Sequence, residues 1–122
     1  MIEIRREDFS VDEITKMMKN PKIGAISIYI GTVREFPSGN GLAFEDDNHA
    51  VRKLEGIEKG ALNRFDVEDV AIVHRVGFLC ISENILLVAV SASHRGPAFD
   101  ACRSIIDDIK GLHKSWGKEV SK

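Results

Sequence analysis

Apolar and polar positions alternate weakly over Met1 to Arg6, a pattern that fits a first short strand. Ser10-Val11-Asp12-Glu13 then matches a capping box, with a hydroxyl cap and a Glu at the third helical position. The helix it opens carries Ile14, Met17 and Met18 on one face and stops at Asn20-Pro21. Gly24 to Val33, GAISIYIGTV, is rich in β-branched residues and reads as a strand. Arg34 to Gly41, with Pro37, Gly39 and Gly41, reads as a mobile loop, and Leu42 to Phe44 as a brief strand. From about Asp47 to Phe65, Ala50, Leu54, Ile57, Ala61 and Phe65 recur at helical spacing. Gly56 and Gly60 weaken that helix by roughly 1 kcal/mol each. Val70 to Val76 is a strand, as is the run from Ile81 or Glu83 to Ser91; Gly77 to Ser82 between them reads as a hairpin connection. A last helix opens near Pro97 with a stripe of Phe99, Cys102, Ile105, Ile106 and Ile109, and Gly111 is its expected stop.

The resulting order is strand, helix, strand, helix, strand, strand, helix. It predicts one α+β domain over residues 1–122, with a mainly antiparallel sheet and flanking helices. Composition adds little to this, because 43% hydrophobic and 30% charged residues are ordinary for a globular chain. Net charge changes the picture more. At −2 it supplies no basic field for nucleic acid, so anion recognition must come from local clusters. The N-terminal segment MIEIRREDF has no long apolar run, so neither a signal peptide nor a membrane span is expected. Cys80 and Cys102 form no CxxC pair and read as buried thiols of a reducing cytoplasm. No P-loop, GxGxxG turn or metal-ligand spacing is present.

Three places carry candidate chemistry. Ser93-His94-Arg95-Gly96 lies between a strand and a helix N-terminus, where free N–H groups and a partial positive charge suit a phosphate or carboxylate. The competing reading is a capping His94 and a surface ion pair for Arg95. Arg34 closes a long strand and opens a loop; it is a binding group or simply solvated. Lys110 sits at the expected end of the last helix, where the dipole alone favours a cation; a catalytic role requires that it face a pocket. Of the pair His74-Arg75, in a strand, one side chain is expected to be half-buried and hydrogen-bonded and the other solvated. Trp116 reads as a packing anchor, and His49 and His113 as isolated.

Four segments in register, GAISIYIGTVRE (24–35), VAIVHRVGFL (70–79), VAVSASHRGPAFDA (88–101) and IIDDIKGLHKSWGKE (105–119), resemble the catalytic (large) subunit family of molybdopterin synthase. The resemblance implies an α/β-hammerhead-like fold and a homodimer. Each subunit of such a dimer binds a small ubiquitin-like sulfur-carrier subunit, giving a heterotetramer. The small subunit ends in Gly-Gly bearing a thiocarboxylate, and its sulfur is transferred to cyclic pyranopterin monophosphate to build the molybdopterin dithiolene. No cofactor or metal is implied for this step. Carried over by position, Thr32, Val33, Arg34, His94, Arg95, Gly117, Lys118 and Glu119 match the binding segments, and Lys110 matches the catalytic lysine. Where the family places a second lysine directly after Trp, this chain has Gly117, with Lys118 one residue later as its expected substitute. The segment AFEDDNH also departs from the family's Leu-Glu-Tyr-Glu pattern. Two other readings stay open: a diverged, non-catalytic dimeric module that binds the sulfur carrier, and an unrelated anion-binding domain.

Overall fold

The computed structural model describes residues 1–121. Its elements are β1 (Ile2–Arg5), α1 (Val11–Met18), β2 (Ala25–Thr32), β3 (Gly39–Phe44), α2 (Asn48–Arg64), β4 (Asp69–Arg75), β5 (Gly77–Cys80), β6 (Asn84–Ala92), α3 (Arg95–Trp116) and β7 (Gly117–Ser121). Two sheets form. The larger has the order β1-β4-β6-β2, antiparallel except for the parallel β1–β4 pair. The smaller has the order β5-β3-β7 and is wholly antiparallel. The architecture is α+β with mainly antiparallel strands.

Burial on both faces explains why the central strands read as nearly unbroken apolar runs. On β4 and β6, Val70, Ile72, Leu86, Val88 and Val90 face the side covered by α2 and α3, where Leu54, Ala61, Ala101, Ile105 and Ile109 complete the main core. The alternate positions Ala71, Val73, Leu87 and Ala89 meet Ile14 and Met18 of α1 on the other side. Helix α1 begins as its sequence predicts, with the Ser10 hydroxyl accepting from the Glu13 backbone N–H. Asp47 caps α2 by accepting from His49 N–H.

Several expectations are corrected. Gly77 to Cys80 is a strand rather than a plain connection, because the neighbouring β3 offers it a pairing edge. Gly77 itself has φ +93°, and its glycine lets the chain turn sharply from β4 into β5. The expected loop 34–41 ends early, since Gly39 to Gly41 already belong to β3. Helix α3 starts at Arg95 and runs through Gly111 to Trp116. Gly111 is exposed with open space around it, and the buried stripe is continued by Leu112 and Trp116 packed on the core, which outweighs a cost of about 1 kcal/mol. Residues Gly117–Ser121 form a further strand, β7, where the sequence pattern predicts no element. Phe99, Met17 and Cys80, all expected to pack, are exposed, Phe99 at 55% and Met17 at 68%. Cys102 is buried, and burial pushes its thiol above the ordinary range.

Candidate active site

The end of β2 holds the first group of candidate residues. Val33 is buried, its N–H donates to Glu83 O and its carbonyl accepts from Ser82 N–H. These two bonds clamp the strand end, so Thr32 and Arg34 on either side project outward from a fixed backbone. They line a cavity of about 920 Å³ whose wall also includes Glu35, Phe36, Ile81, Lys110, His113 and Glu119. The structure therefore gathers Thr32, Val33, Arg34, Lys110 and Glu119 around one space. Lys110 is exposed to it rather than sunk in an apolar pocket.

The remaining candidates lie elsewhere. His94 occupies the N-cap position of α3 without a side-chain cap bond, and it, Arg95 and Gly96 are exposed. Arg95 makes no ion pair among the described residues. Fifteen residues separate Arg95 from Lys110 on the same helix, about 22 Å along its axis. Lys118 and Glu119 alternate on β7, so their side chains leave opposite faces of the small sheet. Glu119 lines the large cavity, whereas Lys118 lines a smaller one with Glu45, Lys53 and Trp116. Gly117 is packed tightly: a Cβ there would meet the Phe44 ring at 2.8 Å.

Behind the large cavity is a cluster that the sequence did not reveal. His74 is 0% exposed, so the expectation of a half-buried residue is corrected. Its Nδ1 lies 2.7 Å from Arg75 O, and its Nε2 lies 2.8 Å from His113 Nε2. Phe44 meets both rings, 4.8 Å from His74 and 5.1 Å from His113, and Trp116 lies 4.2 Å from His74. Trp116 is the packing anchor that its sequence position suggests, with Nε1–H donating to Glu45 O at 2.7 Å. Burial, and then the neighbouring His113, lower the His74 pKa from 6.5 to about 3. Burial, and then the Lys110 charge, also lower that of His113. Arg75 is not solvated either: its guanidinium donates to Arg6 O, Asn84 O and Glu83. His113 escaped the sequence reading because one histidine carries no spacing signal. Its position three residues beyond Lys110 and three before Trp116 was the available clue.

Among the described residues, no group of three or more His, Cys, Asp or Glu could hold a metal ion. No helix is long and apolar enough to cross a membrane. The arrangement offers two cations, Arg34 and Lys110, beside two acids, Glu35 and Glu119, and a histidine in an open cavity, a set suited to binding an anion and moving a proton.

The family described as MoaE protein matches residues 4–111. The molybdopterin synthase catalytic subunit of Pyrococcus abyssi is 39% identical over 119 residues, covering 94% of this chain and 80% of that protein. The crystal structure of molybdopterin synthase from Staphylococcus aureus superposes with a TM-score of 0.86 at 30% identity, covering 98% of this chain and 90% of that one. Molybdopterin cofactor biosynthesis protein E from Burkholderia multivorans gives a TM-score of 0.82 at 37% identity, over 89% and 75%. With this sequence match running through both sheets and all three helices, the chain belongs to the MoaE protein family.

Proposed function

We propose that this chain is the catalytic subunit of a molybdopterin synthase, a sulfurtransferase that passes sulfur from a thiocarboxylate to a pterin phosphate. The observation that carries the reading is the convergence of Arg34, Lys110 and Glu119 on one cavity in a member of this family. Arg34 holds the substrate phosphate through charge-assisted hydrogen bonds. The thiocarboxylate sulfur attacks the pterin side chain, and the Lys110 ammonium gives a proton to the departing oxygen. The donor is a small ubiquitin-like subunit whose Gly-Gly tail is slim enough to enter the cavity. A second opening lined by Glu35, Phe36 and Ile81 adjoins the first through those shared residues and supplies an extended approach.

His94 and Arg95 serve the same substrate through a second copy of the chain. About 22 Å from Lys110 within one chain, they reach a small ligand there only from a partner. β2 is the edge of the larger sheet and exposes Ile28 (37%) and Ile30 (40%) beside Phe99. Its first residues lie next to Ala92 and Ser93, and its last lie at the cavity. A two-fold axis laying β2 antiparallel to its copy therefore carries one chain's His94 and Arg95 toward the other chain's Lys110. Such a dimer also covers the exposed apolar strip.

The test is a single-turnover reaction with thiocarboxylated small subunit and cyclic pyranopterin monophosphate. Wild type is expected to form dithiolene and Lys110→Ala to lose it. A Lys118→Ala variant measures whether that amine substitutes at the Gly117 position. Binding of the small subunit without product would favour a non-catalytic binding module, the reading to which the Gly117 departure points.

A further inference from the structure

The His74–His113 contact fixes where protons sit. A backbone carbonyl only accepts, so the His74 nitrogen 2.7 Å from Arg75 O must be Nδ1–H. In a neutral His74 ring, Nε2 is then bare. The 2.8 Å between the two Nε2 atoms requires one proton between them, and it must belong to His113. His113 is therefore an Nε2–H donor, and its Nδ1 is the ring nitrogen left over. His113 lines the large cavity with Lys110, three residues earlier on the same helix face.

We propose that His113 is the proton acceptor of this cavity, with His74 as the positioning residue that fixes its ring and tautomer. This rests on the synthase reading and deepens it. When sulfur bonds to the pterin carbon and the carbon–oxygen bond breaks, the departing oxygen takes a proton from Lys110, leaving a neutral amine. The thioester so formed joins the small subunit's acyl carbon to the pterin sulfur, and water must open it. Water oxygen bonds to the acyl carbon, the acyl carbon–sulfur bond breaks with its electrons going to sulfur, and one water proton goes to His113 Nδ1. The second proton leaves with the carboxylic acid and ionises into solvent. The imidazolium then returns its proton to the Lys110 amine, and both groups are reset. The lowered proton affinity of His113 suits this role, since the ring is neutral and ready to accept near pH 7. The charged and titratable groups around it are Lys110 on its own helix, Tyr29 of β2, His74 of β4, Glu119 of β7, and Arg34 and Glu35 beyond β2.

Long-range proton–nitrogen NMR of the histidine rings tests the geometry on wild-type protein, independently of turnover. The expected result is His74 as the Nδ1–H tautomer, unchanged between about pH 5 and 9, and His113 as the Nε2–H tautomer, with Nδ1 responding as pH falls. An Nδ1–H tautomer at His113, or titration of His74 in that range, overturns the proposal. Single-turnover pH profiles test the chemistry. His113→Gln keeps an amide donor for His74 but cannot carry the proton. It is expected to slow the chemical step by ~10²–10⁴-fold, the usual range for general acid–base catalysis, and to erase the acid-side inflection while leaving substrate affinity unchanged. An active wild type matched by an equally active His113→Gln sinks this inference alone. A wild type without product sinks the synthase reading and the proton role with it, and the spectra then judge the tautomers on their own.

Discussion

The two ends of α3 are built on opposite plans. At the first, His94, Arg95 and Gly96 are exposed, the cap position makes no side-chain bond, and Phe99 stands out into solvent. At the second, His113 and Trp116 interlock with Phe44 and His74, and Trp116 is tied to Glu45 O. One end presents charge and apolar surface to solvent. The other uses aromatic packing to hold reactive groups at the wall of a cavity. The difference teaches that, on the proposed reading, a single helix serves two sites of which only one is rigid within the monomer.

Substitutions separate the two plans by the size of their effects. Lys110→Ala should cut single-turnover formation of dithiolene by ~10²–10⁴ while leaving the thermal midpoint nearly unchanged, because its side chain is exposed. His74→Ala should destabilise the fold by about 3 kcal/mol or more in denaturant titrations, since it opens a cavity and strips partners from Arg75 O and His113. Acid should act on the same end. The unfolded His74 ring takes up a proton near pH 6.5 and the folded ring only near 3, so the unfolded state holds more protons in between. Stability is therefore complete above 6.5 and falls as pH drops toward 3, by at most about 1.4 kcal/mol per unit, which urea titrations at stepped pH would read. A His74→Gln protein that kept the same slope would remove His74 as its cause. Gly117→Ala should cost about 1–3 kcal/mol, because its methyl meets Phe44 within a packed aromatic group. At the open end, Arg95→Ala should change stability by less than about 0.5 kcal/mol yet raise the substrate KM. In the β2-paired dimer proposed above, Ile28→Lys should shift sedimentation toward monomer; an unchanged dimer would place the two-fold axis elsewhere.

Much of the larger sheet and of the helices packed on it was legible because their signals are local. The Ser10 cap, the Asp47–Phe65 periodicity and the β-branched run of β2 each specify an element without help from distant residues. The small sheet was not. GFLC and GKEVS carry little strand preference, and they become β5 and β7 only because β3 lies between them. The site divides the same way. Arg34 and Lys110 stood out as cations at element ends, although only the fold shows that they share a cavity with Glu119. Strand alternation then separates Lys118 from that cavity, a consequence of register that residue type does not reveal. The His74–His113 pair joins positions 39 residues apart and had no local signature.

The order of synthesis gives the small sheet one more property. β3 emerges early but pairs with residues 77–80 and 117–121, so both its edges stay open while most of the chain is made. Closing such distant contacts is entropically slow in both sheets, since β1 pairs with β4 and β2 with β6, but all four strands of the larger sheet are made by residue 92, whereas the second edge of β3 waits for residues 117–121. Glu119 reaches the cavity only when β7 docks. The nascent chain thus acquires its stable body first and its reactive cavity last, and a cell that interrupts it in between holds a folded but inert intermediate with an unpaired edge.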